Sequence, residues 1–176
     1  MSTNADKADG FTISSEVSAG SVAGSGPDQV SVTVGVKGNF PVRATEGSAG
    51  GDLIFDEISD EGPVEYATLH PGGSILLKTG TYLELPEGFE AQVRPRSGLA
   101  YKHGLTVLNS PGTIDSDYRG EIGVIMINHG PKEWTFNRGD RIAQLVIQPV
   151  PKVTFVGQDT LSDTMRGEGG FGSTGT

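Results

Sequence analysis

Valines at positions 30, 32, 34 and 36 alternate with Ser31, Thr33, Gly35 and Lys37. A period of two puts one face of an extended chain toward a core and the other toward water, which is the signature of a strand and excludes a helix. The same short apolar or alternating character returns at 74–78, 81–85, 90–94, 105–108, 122–128, 133–136, 142–149 and 152–156. Turn signals separate these runs: Pro71-Gly72-Gly73, Pro86-Glu87-Gly88, Pro111-Gly112, Gly130-Pro131 and Arg138-Gly139-Asp140. Almost no segment carries helical spacing. Eight or nine short strands joined by tight turns predict an all-β subunit of the sandwich, jelly-roll or small-barrel kind.

A chain of 176 residues can build one domain with a sizeable core and is too short for two ordinary ones. It contains no cysteine, so disulfides, thiolate metal sites and a cysteine nucleophile are all excluded. No run approaches the roughly 18 consecutive apolar residues of a membrane-spanning helix. The formal net charge of −9, with 13 Lys and Arg scattered along the chain, argues against nucleic acid as a partner. An anionic ligand would need a local basic pocket, with a divalent cation to offset its charge.

Three segments are expected. Residues 1–29 are rich in Ser, Gly, Ala and Thr, with Asp6, Asp9, Glu16 and Asp28 against Lys7. Isolated Phe11, Ile13 and Val17 cannot build a packed element, so a disordered acidic arm is expected. It lacks the basic start and apolar run of a secretory signal and the arginines of a transit peptide. Residues 30–157 form the β core. Residues 158–176 turn polar and glycine-rich again, as a flexible C-terminal segment.

Several segments could carry chemistry. The C-terminal one holds Arg166, able to fork onto phosphate oxygens, and Phe171, able to stack on a flat ring. The glycines around them, with Gly172 and Ser173, let backbone amides approach phosphates. At 95–100, Pro-Arg-Ser-Gly-Leu-Ala offers a cation, a hydroxyl and a glycine turn with free amides, an anion pocket or an ordinary turn with a surface arginine. At 111–120, Asp115 follows apolar Ile114 and precedes Tyr118, and carboxylates are the usual bases for activating water in hydrolysis. Asp115 and Asp117 would share one face of an extended segment, so a metal pair is an alternative, although Asp117 fits a hairpin turn better. His70, His103 and His129 have no metal-ligand spacing and suit loop positions, and Trp134 alternates with Phe136 as core or an inter-subunit contact.

In order, these segments resemble the five motifs of the trimeric dUTPase family. The first is Arg-Ala-Thr-Glu-Gly-Ser-Ala-Gly-Gly-Asp-Leu at 43–53, and the second is 95–100. The third runs from Asn109 through Gly-Thr-Ile-Asp-Ser-Asp-Tyr-Arg-Gly at 112–120. The fourth is Arg-Gly-Asp-Arg-Ile-Ala-Gln-Leu at 138–145, and the fifth is the glycine-rich end. The likeness spans about residues 41–175, and five motifs in register are far more specific than one. Gly51 departs from the pattern, since the family more often has a larger residue before the first-motif Asp.

The resemblance implies a jelly-roll-like β-clip subunit, assembled as a homotrimer with shared active sites, that hydrolyses dUTP to dUMP and pyrophosphate. That reaction keeps uracil out of DNA and supplies dUMP for dTMP synthesis. On this likeness Asp115 is the general base that orients water toward the α-phosphorus. Tyr118 packs under the deoxyribose, where a 2′-hydroxyl would clash, and Asn109 reads uracil. Arg96, Ser97 and Gln144 hold the phosphate chain, with Gly98, Gly112, Thr113 and Ile114 completing the substrate contacts. Asp52 reaches Mg²⁺ through water, the ion itself being held by the three phosphates. Arg166 contacts the γ-phosphate, and Phe171, Gly172 and Ser173 cover the nucleotide as a lid. The compartment implied is the cytoplasm, the nucleus, or an infected host cell for a viral protein.

Two rivals are weighed against this. A dCTP deaminase of the same fold relies on a glutamate in the strand after the third motif, and here Ile125 stands in that place. A binding protein whose acidic arm docks a regulatory partner remains open as a second role, but the full set of motif residues argues against a purely structural one.

Overall fold

The computed structural model describes residues 31–58 and 64–171. The acidic arm at 1–29, Val30, Gly172 and Ser173 lie outside the described residues. Among the described residues, twelve strands and one short helix follow in order: β1 Gly35–Gly38, β2 Gly51–Ile54, β3 Glu57–Ile58, β4 Tyr66–Leu69, β5 Ser74–Lys78, β6 Thr81–Glu84, β7 Phe89–Arg94, α1 Ser97–His103, β8 Leu105–Val107, β9 Gly112–Ile114, β10 Gly123–Asn128, β11 Trp134–Asn137 and β12 Arg141–Pro149. They form two four-stranded sheets, ordered β3-β5-β10-β8 and β2-β12-β7-β9, and two pairs, β1-β6 and β11-β4. Every pairing is antiparallel. The subunit is an all-β jelly roll of the β-clip kind.

Alternation explains the layering. In β10, Val124, Met126 and Asn128 are buried while Gly123, Ile125 and Ile127 face outward. Ala91 and Val93 of β7, Leu53 of β2 and Leu145 of β12 likewise turn inward. These side chains join Phe55, Leu77, Leu105, Ile122, Phe136 and Ile142 in one cluster, so the central strands of both large sheets bury their inner faces in a common core. Thr79 and Asn128 are paired within it, whereas the buried Trp134 Nε1 has no hydrogen-bond partner among the described residues. Thr79 Oγ1 donates to the Ile122 carbonyl at 2.8 Å, and Asn128 Nδ2 donates to the carbonyls of Leu69 and Lys132 at 3.0 and 2.8 Å.

Several expectations change. The strand expected over 30–37 begins only at Gly35, and His103, expected in a loop, closes α1. Residues 152–156 carry strand-like alternation yet form no strand, and Val153, Phe155 and Val156 are exposed. The expected glycine turn at 97–100 is the start of α1. That helix ends at Gly104, whose φ of 70° closes the last turn, with Lys102 and His103 favourably placed against the helix dipole. Among the described residues no helix is long and apolar enough to cross a membrane.

Candidate active site

The sheet β2-β12-β7-β9 arranges most of the candidate residues. Its register pairs Gln144 with Asp52 on one side and with Arg94 on the other, and Gln92 with Thr113. Because paired residues share a face and their neighbours Leu53, Leu145 and Val93 are buried, Asp52 and Gln144 point outward together.

A cleft of about 340 Å³ opens on this face, lined by residues of the first motif with Asp52, Arg96, Ser97, Gly98, Arg141 and Gln144. Asp52 is its hub. Its Oδ1 accepts from Arg96 Nε at 2.9 Å and its Oδ2 from Arg141 Nη1 at 3.1 Å. Arg96 Nη1 also donates to the Arg141 carbonyl at 3.1 Å. One carboxylate thus aims two guanidinium groups. Gln144 Nε2 donates to the Pro95 carbonyl at 3.0 Å and fixes the chain entering α1. Ser97 and Gly98 form the first turn of α1, where backbone N–H groups have no intrahelical acceptor. The cleft offers cations, a hydroxyl and free amides to an anion.

Gly51, the departure from the family pattern, has a local cause. Val42 and Asp52 form a bridge, with the Val42 and Asp52 amides donating to each other's carbonyls at 3.1 and 2.8 Å. This brings Pro41 onto Gly51, where a Cβ would lie 2.8 Å from Pro41 Cβ and 3.0 Å from its carbonyl carbon.

A second cleft of about 360 Å³ is lined by Leu76, Asn109, Thr113, Ile114, Asp115, Tyr118, Glu121, Gly123 and Ile125. Both clefts have the size of small-molecule sites. Asn109 lies in the turn from β8 to β9, which contains a cis Ser110–Pro111 peptide, and Gly112 is buried in β9. Asp115 follows β9 directly and is exposed, and its carbonyl accepts from the Tyr118 amide at 3.2 Å. Asp117 lies in that turn and does not line the cleft. The Tyr118 ring folds back along its own chain, and its hydroxyl donates to the Glu121 carbonyl at 2.9 Å.

The candidate residues therefore fall into three groups within one subunit. Asp52, Arg96, Ser97, Gly98 and Gln144 line the first cleft, while Asn109, Asp115 and Tyr118 line the second. Arg166 lies apart from both in an exposed turn at the C-terminal end, where its Nε donates to the Gly169 carbonyl at 2.8 Å. Phe171 is fully exposed. Sequence reasoning passed over Arg141 and Glu121 as site residues. Arg141 stood within the fourth motif, but its partnership with Asp52 depends on strand register. Glu121 carried no local signal.

Among the described residues no group of three or more His, Asp or Glu could hold a metal ion. The oxygen donors of the first cleft are one carboxylate, two serine hydroxyls and an amide oxygen. That set fits Mg²⁺ carried in on a polyphosphate, which needs few protein ligands.

The chain belongs to the dUTPase family, whose model matches residues 37–175. It is 57% identical over 139 residues to the deoxyuridine 5′-triphosphate nucleotidohydrolase of Beijerinckia indica subsp. indica, across 77% of this chain and 82% of that one. It is 55% identical over 136 residues to the protein of the same name from an Anaeromyxobacter species, across 77% and 87%. Among solved structures, the dUTPase of Staphylococcus bacteriophage 80alpha with dUPNHPP superposes with a TM-score of 0.71 at 26% identity, covering 82% of this chain and 99% of that one.

Proposed function

We propose that this protein hydrolyses dUTP to dUMP and pyrophosphate by attack of water on the α-phosphorus, with Asp115 as general base. The observation that carries the reading is the grouping of Asp115, Asn109 and Tyr118 in one cleft, in a chain of this family. Asn109 reads the uracil edge, and Tyr118 supports the deoxyribose face where a 2′-hydroxyl would be crowded. Asp115 orients a water molecule and takes its proton as the oxygen bonds to phosphorus. The bond from the α-phosphorus to the bridging oxygen breaks, and pyrophosphate leaves with that electron pair. Thr113, Ile114 and the buried Gly112 shape the cleft wall beside them.

Arg96, Ser97, Gly98 and Gln144 bind the phosphate chain. Preorganised donors of this kind stabilise charge where it develops, without reorganising during reaction. Asp52 holds Arg96 and Arg141 in place and would meet a bound Mg²⁺ through water. When bound, the ion neutralises charge on the phosphate oxygens and favours departure of pyrophosphate.

The functional unit is a homotrimer with sites shared between subunits. Within one chain the anion-binding residues and the base-reading residues line different clefts, so apposing a second copy supplies the missing half. The exposed segment with Val153, Phe155 and Val156 supports this, because apolar side chains left uncovered by their own chain are suited to packing against a neighbour. Residues 158–176 then act as a lid, with Arg166 on the γ-phosphate and Phe171, Gly172 and Ser173 over the nucleotide, excluding bulk water. The lid is distinct from a core at 30–157.

Deamination is disfavoured by Ile125, which places a hydrocarbon side chain in the cleft where that chemistry needs a proton-carrying group. The test is pyrophosphate release with Mg²⁺ from dUTP, dCTP, dTTP and UTP. Rapid hydrolysis of dUTP alone is expected. No hydrolysis by a folded trimer would favour a binding protein that keeps the cleft for nucleotide sensing.

A further inference from the structure

Glu121 lines the second cleft, yet its carboxylate is already committed. Its side chain is 16% exposed, and Oε1 accepts the Gly80 amide at 2.8 Å. Oε2 lies 3.7 Å from Lys78 Nζ and accepts the Tyr82 hydroxyl at 3.5 Å. Lys78 is held in turn by Glu57, whose Oε1 is 2.7 Å from Nζ. A carboxylate so engaged is a good anchor.

The anchor continues through the backbone. The Ile122 amide donates to the Thr81 carbonyl at 2.9 Å, and the Ile122 carbonyl accepts from the buried Thr79 hydroxyl at 2.8 Å. Residue 121 is therefore pinned to the β5–β6 corner by its side chain and by its neighbour. Its own carbonyl receives the Tyr118 hydroxyl at 2.9 Å. Tyr118 needs that support, being 44% exposed. A Cβ at Gly120 would collide with the Tyr118 hydroxyl, so the ring keeps this position only beside a glycine. The backbone of the same loop is tied by Arg119 Nη1, which donates to the carbonyls of Ser116 and Tyr118 at 2.7 and 3.0 Å.

We infer that Glu121 is a positioning residue for sugar selection: locked to the Gly80 amide and Lys78, it fixes the carbonyl that holds the Tyr118 ring at the height where a 2′-hydroxyl is rejected. The inference rests on the reading of Tyr118 as the sugar platform. A ring released from this bond can tilt toward solvent and leave room for a ribose.

The test compares kcat/KM for dUTP and UTP in full-length protein carrying Glu121→Ala, Glu121→Gln, Tyr118→Ala or Tyr118→Phe, with melting temperature and assembly checked for each. Losing one anchoring hydrogen bond should narrow the dUTP/UTP ratio about three- to tenfold in Glu121→Ala, chiefly by lowering KM for UTP. Glu121→Gln keeps an acceptor for Gly80 and should restore most of the ratio, a rescue that general loosening of the fold would not give. Tyr118→Ala should abolish discrimination. An unchanged ratio in Tyr118→Ala would refute the sugar-platform reading and the inference with it. An unchanged ratio in Glu121→Ala alongside a collapsed one in Tyr118→Ala would refute the inference alone, as would a Glu121→Gln protein no better than Glu121→Ala. Should Glu121→Ala fail to fold, Tyr118→Phe cuts the same bond from the other end. A Tyr118→Phe ratio equal to wild type would then overturn the inference, and a narrowed one would support it.

Discussion

Replacing Gly51 by alanine should damage this protein out of proportion to the single methyl added. The new Cβ would sit 2.8 Å from Pro41 Cβ, 3.0 Å from the Pro41 carbonyl carbon and 3.1 Å from its oxygen. Two of these three atoms are backbone, so no side-chain rotation relieves the contact. The backbone at Pro41 must move by several tenths of an ångström, and the next residue, Val42, carries the paired hydrogen bonds to Asp52. Overpacking of this kind costs about 1–3 kcal/mol. For a chain of this size that lowers Tm by roughly 3–10 °C. Asp52 is the next residue and aims Arg96 and Arg141, so kcat/KM for dUTP should fall as well. Thermal unfolding of Gly51→Ala, Pro41→Gly and the double variant gives a cycle in which the cost of the glycine at 41 cancels. Removing the Pro41 Cβ should recover about 0.5–1 kcal/mol of the Gly51→Ala loss, the remainder staying with the carbonyl. A Gly51→Ala protein with unchanged Tm, or a cycle with no coupling, would refute the assignment of Gly51 to this contact.

Asp115→Asn should bind dUTP nearly as well as wild type and turn it over at least about 100-fold more slowly, measured by calorimetry and single-turnover kinetics. Near-normal turnover would remove Asp115 from the role of base. Deleting residues 164–176 should cripple turnover while sedimentation still reports a folded trimer, and a monomeric or unfolded product would make this segment structural instead. Lys78 is held above its ordinary value of 10.5, first by its hydrogen bond to Glu57 and then by the charges of Glu57 and Glu121. Its folded pKa exceeds its unfolded one, so the stabilisation is complete below the ordinary lysine value and is lost as pH rises through the raised one. The stability difference between wild type and Lys78→Met, followed by denaturant titration, should therefore be flat from neutral pH to about pH 9 and shrink only above about pH 10. A difference that vanishes near neutrality would contradict this.

Much of the architecture was legible because period-two alternation is a local property. Strands β5 to β8 and β10 to β12 fall within a residue or two of their predicted runs. Strand β2 was missed because its four residues, Gly-Asp-Leu-Ile, expose an aspartate that reads as loop and becomes a strand only through pairing with β12. Strand β9 has three residues and leaves no pattern. Helix α1 has less than two turns, too few to display helical spacing. At 152–156 the alternation is present, but among the described residues no strand pairs with it, so a correct reading of local preference gave no element.

The site shows the same division. Each motif is contiguous and could be read from the chain, as could the chemistry of Asp115 or Arg96 taken alone. What was hidden is non-local. The pairing of Gln144 with both Asp52 and Arg94 is set by register, and the Arg96–Asp52 pair spans 44 positions. Glu121 is tied to Gly80 across 41 positions and had no sequence cue at all.

In the proposed homotrimer, the division of the candidate residues between two clefts would have a genetic consequence. A site built from two chains belongs to the assembly, so two defective alleles need not add up to a defective enzyme. A chain with a dead base-reading cleft and a chain with a dead anion cleft can each donate the half the other lacks. If Asp115→Asn and Arg96→Ala chains mix at random in a cyclic trimer, about one site in four draws both halves intact. A cell carrying both alleles would then keep a useful fraction of its activity, although neither allele supports it alone.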